Sequence, residues 1–204
     1  MRSLLLIIAV FLPSPVKCFI YRFFLGWEIG ENVKIGLTYI NAEKVVIKKN
    51  VHIGHLNIFQ RIKYLEIGNE CYFGKFNQFS GSTITYPEES GWTRQLILKN
   101  KVLFMNNHFI DVAGTVKIGS ESVFAGRDTH LWSHTRTIEE NIPNLIPINV
   151  EIGEEVYIGA RSTILLCNIP NQAMIGAGSV VTKTFHTTDR VLIAGNPATI
   201  KKYY

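Results

Sequence analysis

Six histidines are the residues of this chain best suited to acid–base chemistry, because an imidazole titrates near neutral pH. His134 stands out among them, since it directly precedes the stretch 135–149, which contains two prolines and is typical of a loop. A histidine side chain held in a fixed position can act as a general base, which takes up a proton from a reacting group. The other histidines are His52, His55, His108, His130 and His186.

Composition narrows the classes of protein. With 47% hydrophobic and 18% charged residues the chain is not expected to be disordered. Cys18, Cys71 and Cys167 lie far apart, which argues against a disulfide scaffold or a cysteine zinc site and fits a reducing compartment. The net charge of +5 is compatible with a phosphate, a nucleotide or a membrane surface as partner, whereas no nucleic-acid motif accompanies it.

Two short apolar segments precede the rest of the chain. The first covers residues 4–12, and the second covers 16–25 and follows Ser14 and Pro15, which are typical of a helix N-cap and a first helical position. A membrane span needs about 20 apolar residues, so neither segment is long enough. We predict two short helices that touch a membrane surface through residues 4–25. The alternatives are a cap on the following domain or an oligomer contact, and a signal peptide, for which no A-x-A cleavage pattern is present.

A six-residue period dominates the remaining sequence. The dipeptide Ile-Gly occurs eight times, beginning at residues 29, 35, 53, 67, 118, 152, 158 and 175. Bulky residues recur at every sixth position in five series: Ile47-Ile53-Phe59, Ile67-Phe73-Phe79, Leu98-Phe104-Ile110, Ile152-Ile158-Ile164 and Ile169-Ile175-Val181. This period fits neither a helix nor a hairpin and predicts a three-sided solenoid with about 18 residues per turn and parallel strands about 4.8 Å apart. Glycine at the corners is expected to supply backbone angles that other residues avoid.

Two stretches interrupt the period and predict loops over 82–95 and 135–149. The register is also expected to slip by one residue at two places, between Ile118 and Ala125 and between Ile164 and Ile169. The chain is thus expected to consist of an apolar helical segment (1–27), a solenoid domain (28–183) and a C-terminal tail (184–204).

The repeat resembles a known family when it is taken with the runs IGAGSVVTK, from Ile175 to Lys183, and AGNPA, from Ala194 to Ala198. Over residues 27–200 the chain is similar to the left-handed β-helix (hexapeptide-repeat) acyltransferases, which include maltose, galactoside and xenobiotic acetyltransferases and polysaccharide O-acetyltransferases. Its apolar N-terminus is similar to the polysaccharide branch. The resemblance implies an all-β fold, a left-handed parallel β-helix with short N-terminal helices and a C-terminal tail. Left-handedness rests on the resemblance alone, since parallel crossovers are generally right-handed.

The resemblance also implies an activity. We expect an acetyl-CoA-dependent O-acetyltransferase that acts without a metal on a sugar hydroxyl of a cell-surface polysaccharide or lipid-linked glycan. Transfer would be direct, and the enzyme a homotrimer in the cytoplasm or on the cytoplasmic face of the membrane. His134 matches the family's catalytic histidine. The expected substrate contacts are Asn106, Trp132, Ser133 and His130. The expected coenzyme A contacts are Gly159, Ala160, Ala177, Thr182 and Lys183.

Several points stay open at this stage. The group that orients His134 is Asp111, Asp128 or a backbone carbonyl, and the oxyanion donor is expected to be a backbone N–H near Asp128 or at Gly159. The alternative functions are a γ-class carbonic anhydrase-like zinc enzyme, an acetyltransferase of a small molecule such as serine or an antibiotic, and an inactive scaffold. The zinc enzyme would hold its metal through three histidines on adjacent subunits, for which His108, His130 and His134 are the candidates.

Overall fold

The structure, a computed structural model, describes residues 2–83, 91–136 and 145–204. Two short helices, α1 (Arg2–Val10) and α2 (Ser14–Leu25), precede a series of parallel strands. Successive turns of the chain place these strands in three rows, in which each strand pairs with its counterparts in the neighbouring turns. The mostly β, parallel architecture is therefore confirmed, while its handedness stays a prediction.

The first and third rows share the two longest strands, β3 (Tyr39–Ile47) and β5 (Ile58–Ile67), which begin in the third row and end in the first. The first row also contains β1 (Glu28–Ile29), β8 (Gln95–Leu98), β11 (Thr115–Ile118) and β16 (Val150–Ile152). The second row contains β2 (Lys34–Ile35), β4 (His52–Ile53), β6 (Tyr72–Phe73), β9 (Leu103–Asn106), β12 (Val123–Arg127), β17 (Tyr157–Ile158), β19 (Ala173–Ile175) and β21 (Val191–Gly195). The third row also contains β7 (Gln78–Ser80), β10 (Phe109–Asp111), β13 (His130–Trp132), β18 (Thr163–Leu165) and β20 (Val180–Val181).

Two further strand pairs are antiparallel. Strands β14 (His134–Arg136) and β15 (Leu145–Pro147) form an antiparallel pair. Strand β22 (Ala198–Tyr203) pairs antiparallel with β21, which itself continues the second row. The segment 184–204, which was expected to be a tail, therefore contains two strands that extend the sheet.

The six-residue period corresponds to the core. All fifteen residues of the five series are at most 2% exposed, and equivalent members of successive turns lie opposite each other in the strand registers. The expected slip between Ile118 and Ala125 is wrong, because Phe124, six residues after Ile118, is the buried inward residue. The irregularity begins after it, between Phe124 and Arg127.

Glycine follows several inward residues because the next turn passes too close for a side chain. A Cβ atom on Gly54 would lie 2.2 Å from the carbonyl oxygen of Gly74, and one on Gly74 would lie 2.2 Å from that of Met105. Neither glycine has a positive φ. The expectation that unusual backbone angles require glycine is therefore wrong at these corners, where close approach of the backbones requires it.

The N-terminal helices pack on the first turns. Helix α2 begins at Ser14, so Pro13 rather than Ser14 is the N-cap. The Ser14 hydroxyl instead accepts a hydrogen bond of 2.9 Å from the backbone N–H of Ile35. The buried Lys17 ammonium donates to the carbonyl oxygens of Val10 (3.2 Å) and Gly36. These bonds fix both helices to the start of the second row.

Buried polar side chains line the connection from the second row to the third, here called the second corner. Asn77 Oδ1 accepts a bond of 3.0 Å from the backbone N–H of His108, and His108 Nδ1 accepts one of 3.2 Å from Thr129. His108 is 1% exposed, and its ring packs edge-on against the rings of Phe104 and Phe124. Burial lowers its pKa to about 4. His108 is therefore neutral in the folded protein at pH 7.

We expect His108 to make the protein less stable in acid. Between the unfolded pKa of about 6.5 and the folded pKa of about 4, the unfolded chain binds a proton at this residue that the folded chain does not. The free energy of unfolding therefore falls by about 3 kcal/mol as pH falls through this window. A His108→Asn variant, which has the residue type found at the equivalent position 77 of the preceding turn, should lose this pH-dependent contribution. Urea unfolding at pH 7 and pH 4.5 measures it, with the exposed His186→Asn as control, and equal pH dependence in all three proteins would contradict the assignment.

Candidate active site

The connection from the third row to the first, here called the third corner, contains most of the irregular spacings of the solenoid. Regular turns place inward residues six apart, but Phe59 and Ile67, like Ile110 and Ile118, are eight apart across this corner. Both predicted loops also leave the solenoid here, after β7 and after β13. Their residues 84–90 and 137–144 lie outside the described part of the chain. Because parallel strands stack equivalent positions about 4.8 Å apart, extra residues in successive turns form one continuous surface.

Asp111 and His134 form the central pair of this corner. His134 Nδ1 lies 2.7 Å from Asp111 Oδ2, and the two side chains are 31% and 8% exposed. An ionised carboxylate only accepts hydrogen bonds, so the ring donates from Nδ1 and keeps the lone pair on Nε2. This arrangement leaves Nε2 as the basic atom. Of the candidates for orienting His134, the structure selects Asp111.

Asp111 is itself held by Ser133. The backbone N–H of Ser133 donates to Asp111 Oδ2 at 2.8 Å, and the Ser133 hydroxyl donates to the Asp111 carbonyl oxygen at 2.8 Å. The same hydroxyl accepts the backbone N–H of Ala113 at 2.8 Å. Ser133 is 0% exposed. The expectation that Ser133 contacts a substrate is therefore wrong, because its hydroxyl is buried and is used to position the carboxylate.

A cavity of about 260 Å³ opens beside this pair. Aromatic rings form part of its wall: the ring centroids of Trp92 and Trp132 lie 5.9 Å and 6.2 Å from that of His134. Phe109 packs on Trp132, with centroids 5.1 Å apart. The remaining lining residues are Arg61, Ser80, Gly81, Ser82, Thr83, Asp111 and Leu145. Aromatic walls combined with converging polar groups are typical of a small-molecule site.

Sequence reasoning missed Arg61 and Trp92. Arg61 donates from Nε to the carbonyl oxygen of Gly81 at 3.0 Å and from Nη2 to the hydroxyl of Ser80 at 2.7 Å, so its guanidinium is held at the cavity wall. The eight-residue spacing from Phe59 to Ile67 is the signal that would have located Arg61. Trp92 belongs to the loop 82–95. The sequence signal that could have placed it near His134 is that this loop and the loop after His134 leave the solenoid at the same corner.

Two expected substrate residues lie elsewhere. Asn106 stands at the second corner, where its Oδ1 accepts the backbone N–H of Lys75 at 2.9 Å, and it does not line the cavity. His130 is exposed on the outer face of the third row, with its ring 6.5 Å from that of Trp132, and it does not line the cavity either. Of the expected substrate contacts, only Trp132 faces the space beside His134.

The histidines do not assemble a zinc site in this chain. His108 is buried inside the solenoid with Nδ1 occupied, so it cannot reach a metal shared with an adjacent subunit. Among the described residues no group of three or more His, Cys, Asp or Glu side chains could hold a metal ion. The buried position of His108 argues against the carbonic anhydrase alternative.

The expected oxyanion donors are occupied. The backbone N–H of Asp128 donates to Asn107, at 3.2 Å, and that of Gly159 donates to Ile175, at 2.9 Å. The Asp128 carboxylate accepts a hydrogen bond from the Asn107 amide, which together with Arg127 and Arg161 lowers its pKa. Both N–H groups lie at the second corner, away from His134. Neither N–H group can stabilise an oxyanion without breaking its hydrogen bond to the neighbouring turn.

The expected coenzyme A residues lie at two corners. Gly159, Ala160 and Ala177 follow the second row, whereas Thr182 and Lys183 follow β20 at the third corner, two turns beyond His134. The backbone of Gly159 is engaged, since its carbonyl oxygen accepts the Ser162 hydroxyl at 2.8 Å. The two groups border the outer face of the third row from opposite sides.

Neither protein-family models nor curated protein sequences match this chain. Solved structures do. An N-acyltransferase of Bacillus cereus, AntD, solved with dTDP-4-amino-4,6-dideoxyglucose and coenzyme A, is 16% identical, with a TM-score of 0.57 over 86% of this chain and 83% of its own. The polysialic-acid-specific acetyltransferase NeuO is 18% identical, with a TM-score of 0.52 over 86% and 81%. A hexapeptide-repeat acetyltransferase of Vibrio cholerae is 13% identical, with a TM-score of 0.50 over 99% and 88%.

These likenesses define the class of fold. The chain has the fold of the hexapeptide-repeat acyltransferases, and the predicted resemblance is confirmed at that level. At the third corner, the Asp111–His134 pair places a candidate general base beside a cavity with aromatic walls.

Proposed function

We propose that this protein is an acetyl-CoA-dependent O-acetyltransferase whose acceptor is a sugar hydroxyl of a cell-surface polysaccharide or lipid-linked glycan. The observation that carries the proposal is the oriented Asp111–His134 pair beside a cavity walled by Trp92 and Trp132. The fold it shares with AntD, which was solved with coenzyme A and an amino sugar nucleotide, and with NeuO supports the donor and the acceptor class.

His134 is the general base of the proposed reaction. Its Nε2 takes the proton of the acceptor hydroxyl as that oxygen attacks the thioester carbonyl carbon, and Asp111 stabilises the imidazolium that forms. The tetrahedral intermediate then collapses, the carbon–sulfur bond breaks, and the proton passes from His134 to the departing thiolate of coenzyme A. The products are an acetyl ester and free coenzyme A.

Direct transfer fits the state of the cysteines. Cys18, Cys71 and Cys167 are all buried. Burial raises the pKa of Cys71 and of Cys167 to about 11, so both are thiols rather than thiolates at neutral pH. A buried, protonated thiol is a poor nucleophile, and a covalent acetyl-cysteine intermediate is therefore not part of the proposal.

The proposed assembly is a homotrimer of left-handed solenoids, with coenzyme A held between neighbouring copies. Exposed apolar side chains on the outer face of the second row support a contact with a second copy: Tyr72, Met105, Tyr157 and Met174. Such a contact would bring Gly159, Ala160 and Ala177 of one copy close to the third corner of another, where Thr182 and Lys183 lie. We place the reaction in the cytoplasm, because a reducing compartment suits three unpaired cysteines.

A transfer assay tests the proposal. The protein is incubated with acetyl-CoA and a panel of free and lipid-linked saccharides, and products are read by mass spectrometry while thiol release is followed in parallel. We expect a saccharide ester that is removed by mild alkali. An alkali-stable amide on an amino sugar, or acetylation of only serine or an antibiotic, would replace the proposed acceptor. Absence of both transfer and acetyl-CoA binding would overturn the proposal and favour an inactive scaffold.

A further inference from the structure

The outer sides of helices α1 and α2 form an apolar surface at the N-terminal end of the solenoid. Along α1 and the residue after it, exposed side chains recur at the spacing of one helix face: Leu4, Ile7, Ile8 and Phe11. Along α2 the exposed side chains follow the same spacing and include a neighbouring phenylalanine: Val16, Phe19, Phe23 and Phe24. We call these eight residues the cap surface.

The opposite sides of the helices are already covered. Leu6 and Ala9 of α1 and Cys18 and Tyr21 of α2 are buried against the solenoid. An ordinary surface helix is apolar only on the side that faces the core. These helices are apolar on both sides, so folding of the chain accounts for one side and leaves the cap surface to be explained.

Charge favours a lipid bilayer as the occupant. Residues 1–27 contain three basic residues, one of which is the buried Lys17, and no acidic one, and residues 2–49 contain seven basic residues against three acidic ones. Arg2 and Arg22, one on each helix, are exposed. Short helices with large apolar side chains on one side and cations at the edge lie in the headgroup region of anionic membranes.

We propose that the cap surface docks onto an anionic lipid bilayer, with α1 and α2 lying in the plane of the interface. The helices contain nine and twelve residues, and no helix among residues 2–83, 91–136 and 145–204 is long and apolar enough to cross a membrane. Lys17, which donates to Val10 at the end of α1 and to Gly36 in the solenoid, holds the two outer faces in a fixed relation. The inference does not depend on the reaction proposed above.

Vesicle flotation tests the proposal on the full chain. Vesicles of phosphatidylcholine alone and with about one third phosphatidylglycerol are mixed with the protein, and the floating fraction is measured at low and high salt. We expect binding to the anionic vesicles that weakens with salt. A Phe23→Ser/Phe24→Ser double variant changes side chains that are 71% and 68% exposed. We expect its affinity for the anionic vesicles to fall at least about tenfold. The matched control is Tyr203→Ser/Tyr204→Ser, which removes two exposed aromatic rings from the other end of the chain.

The outcomes separate a membrane from a protein partner. Failure of the unaltered protein to float with anionic vesicles would overturn the proposal, as would equal binding by the two double variants. A change in molecular mass of the Phe23/Phe24 variant by light scattering, without loss of vesicle binding, would assign the cap surface to a second copy instead. If that variant does not melt like the unaltered protein, Leu4→Ser/Phe11→Ser on α1 takes its place, since both side chains are more than half exposed.

Discussion

A His134→Gln variant is expected to transfer acetyl groups about 10²- to 10⁴-fold more slowly than the unaltered protein. Glutamine preserves much of the side-chain volume and can still accept a hydrogen bond, but it cannot take up a proton. The loss should therefore fall on kcat, while KM for acetyl-CoA changes little, because binding does not require the base. Steady-state kinetics with the acceptor identified in the transfer assay provide the measurement.

Two further variants make this result specific. Asp111→Asn keeps the shape of the partner but removes the negative charge that stabilises the imidazolium formed when His134 takes up the proton. It should approach the loss seen with His134→Gln. His186→Gln makes the same chemical change at an exposed histidine and should leave kcat unaltered. Equal rates for the His134 and His186 variants would remove the base from the mechanism.

The sequence predicted most of what depends on the repeat. A residue that recurs every six positions must point inward in every turn, so Ile53, Phe79 and Ile164 could be assigned to the core without coordinates. His134 stands where the period gives way to a loop, but its proposed role as the base rests on the resemblance to the acyltransferase family. The period did not locate the irregularity near Ala125. Phe124 and Ala125 are adjacent, and the period alone does not show which of the two points inward.

Contacts between turns could not be predicted in the same way. Asp111 lies one turn before His134, and their contact depends on how the bulge after Phe124 is accommodated between them. Ser133 was assigned to a substrate because a sequence does not show that a hydroxyl is already bonded to Asp111 and Ala113. Trp92 reaches the cavity from a loop outside the period, so no spacing rule places it beside His134.

Replacing Phe104 by alanine is expected to lower the free energy of unfolding by about 3–5 kcal/mol. The ring is 0% exposed and belongs to a column of stacked aromatic rings inside the solenoid. Its centroid lies 4.3 Å from that of Phe124, 5.5 Å from that of Phe73 and 5.0 Å from that of Phe79. Truncation therefore removes contacts with the turns on both sides and leaves a cavity that the stacked backbones cannot close.

Phe76→Ala is the matched control, because it makes the same change to a ring that is 54% exposed and should shift the free energy of unfolding by no more than about 0.5 kcal/mol. Urea unfolding followed by far-ultraviolet circular dichroism measures both variants at one protomer concentration, since subunit association would otherwise contribute to the midpoint. Each turn of a solenoid is stabilised only by its neighbours, so damage at Phe104 should also broaden the transition by uncoupling the turns before it from those after it. Similar midpoints for the two variants would mean that the aromatic column does not join the turns into one cooperative unit.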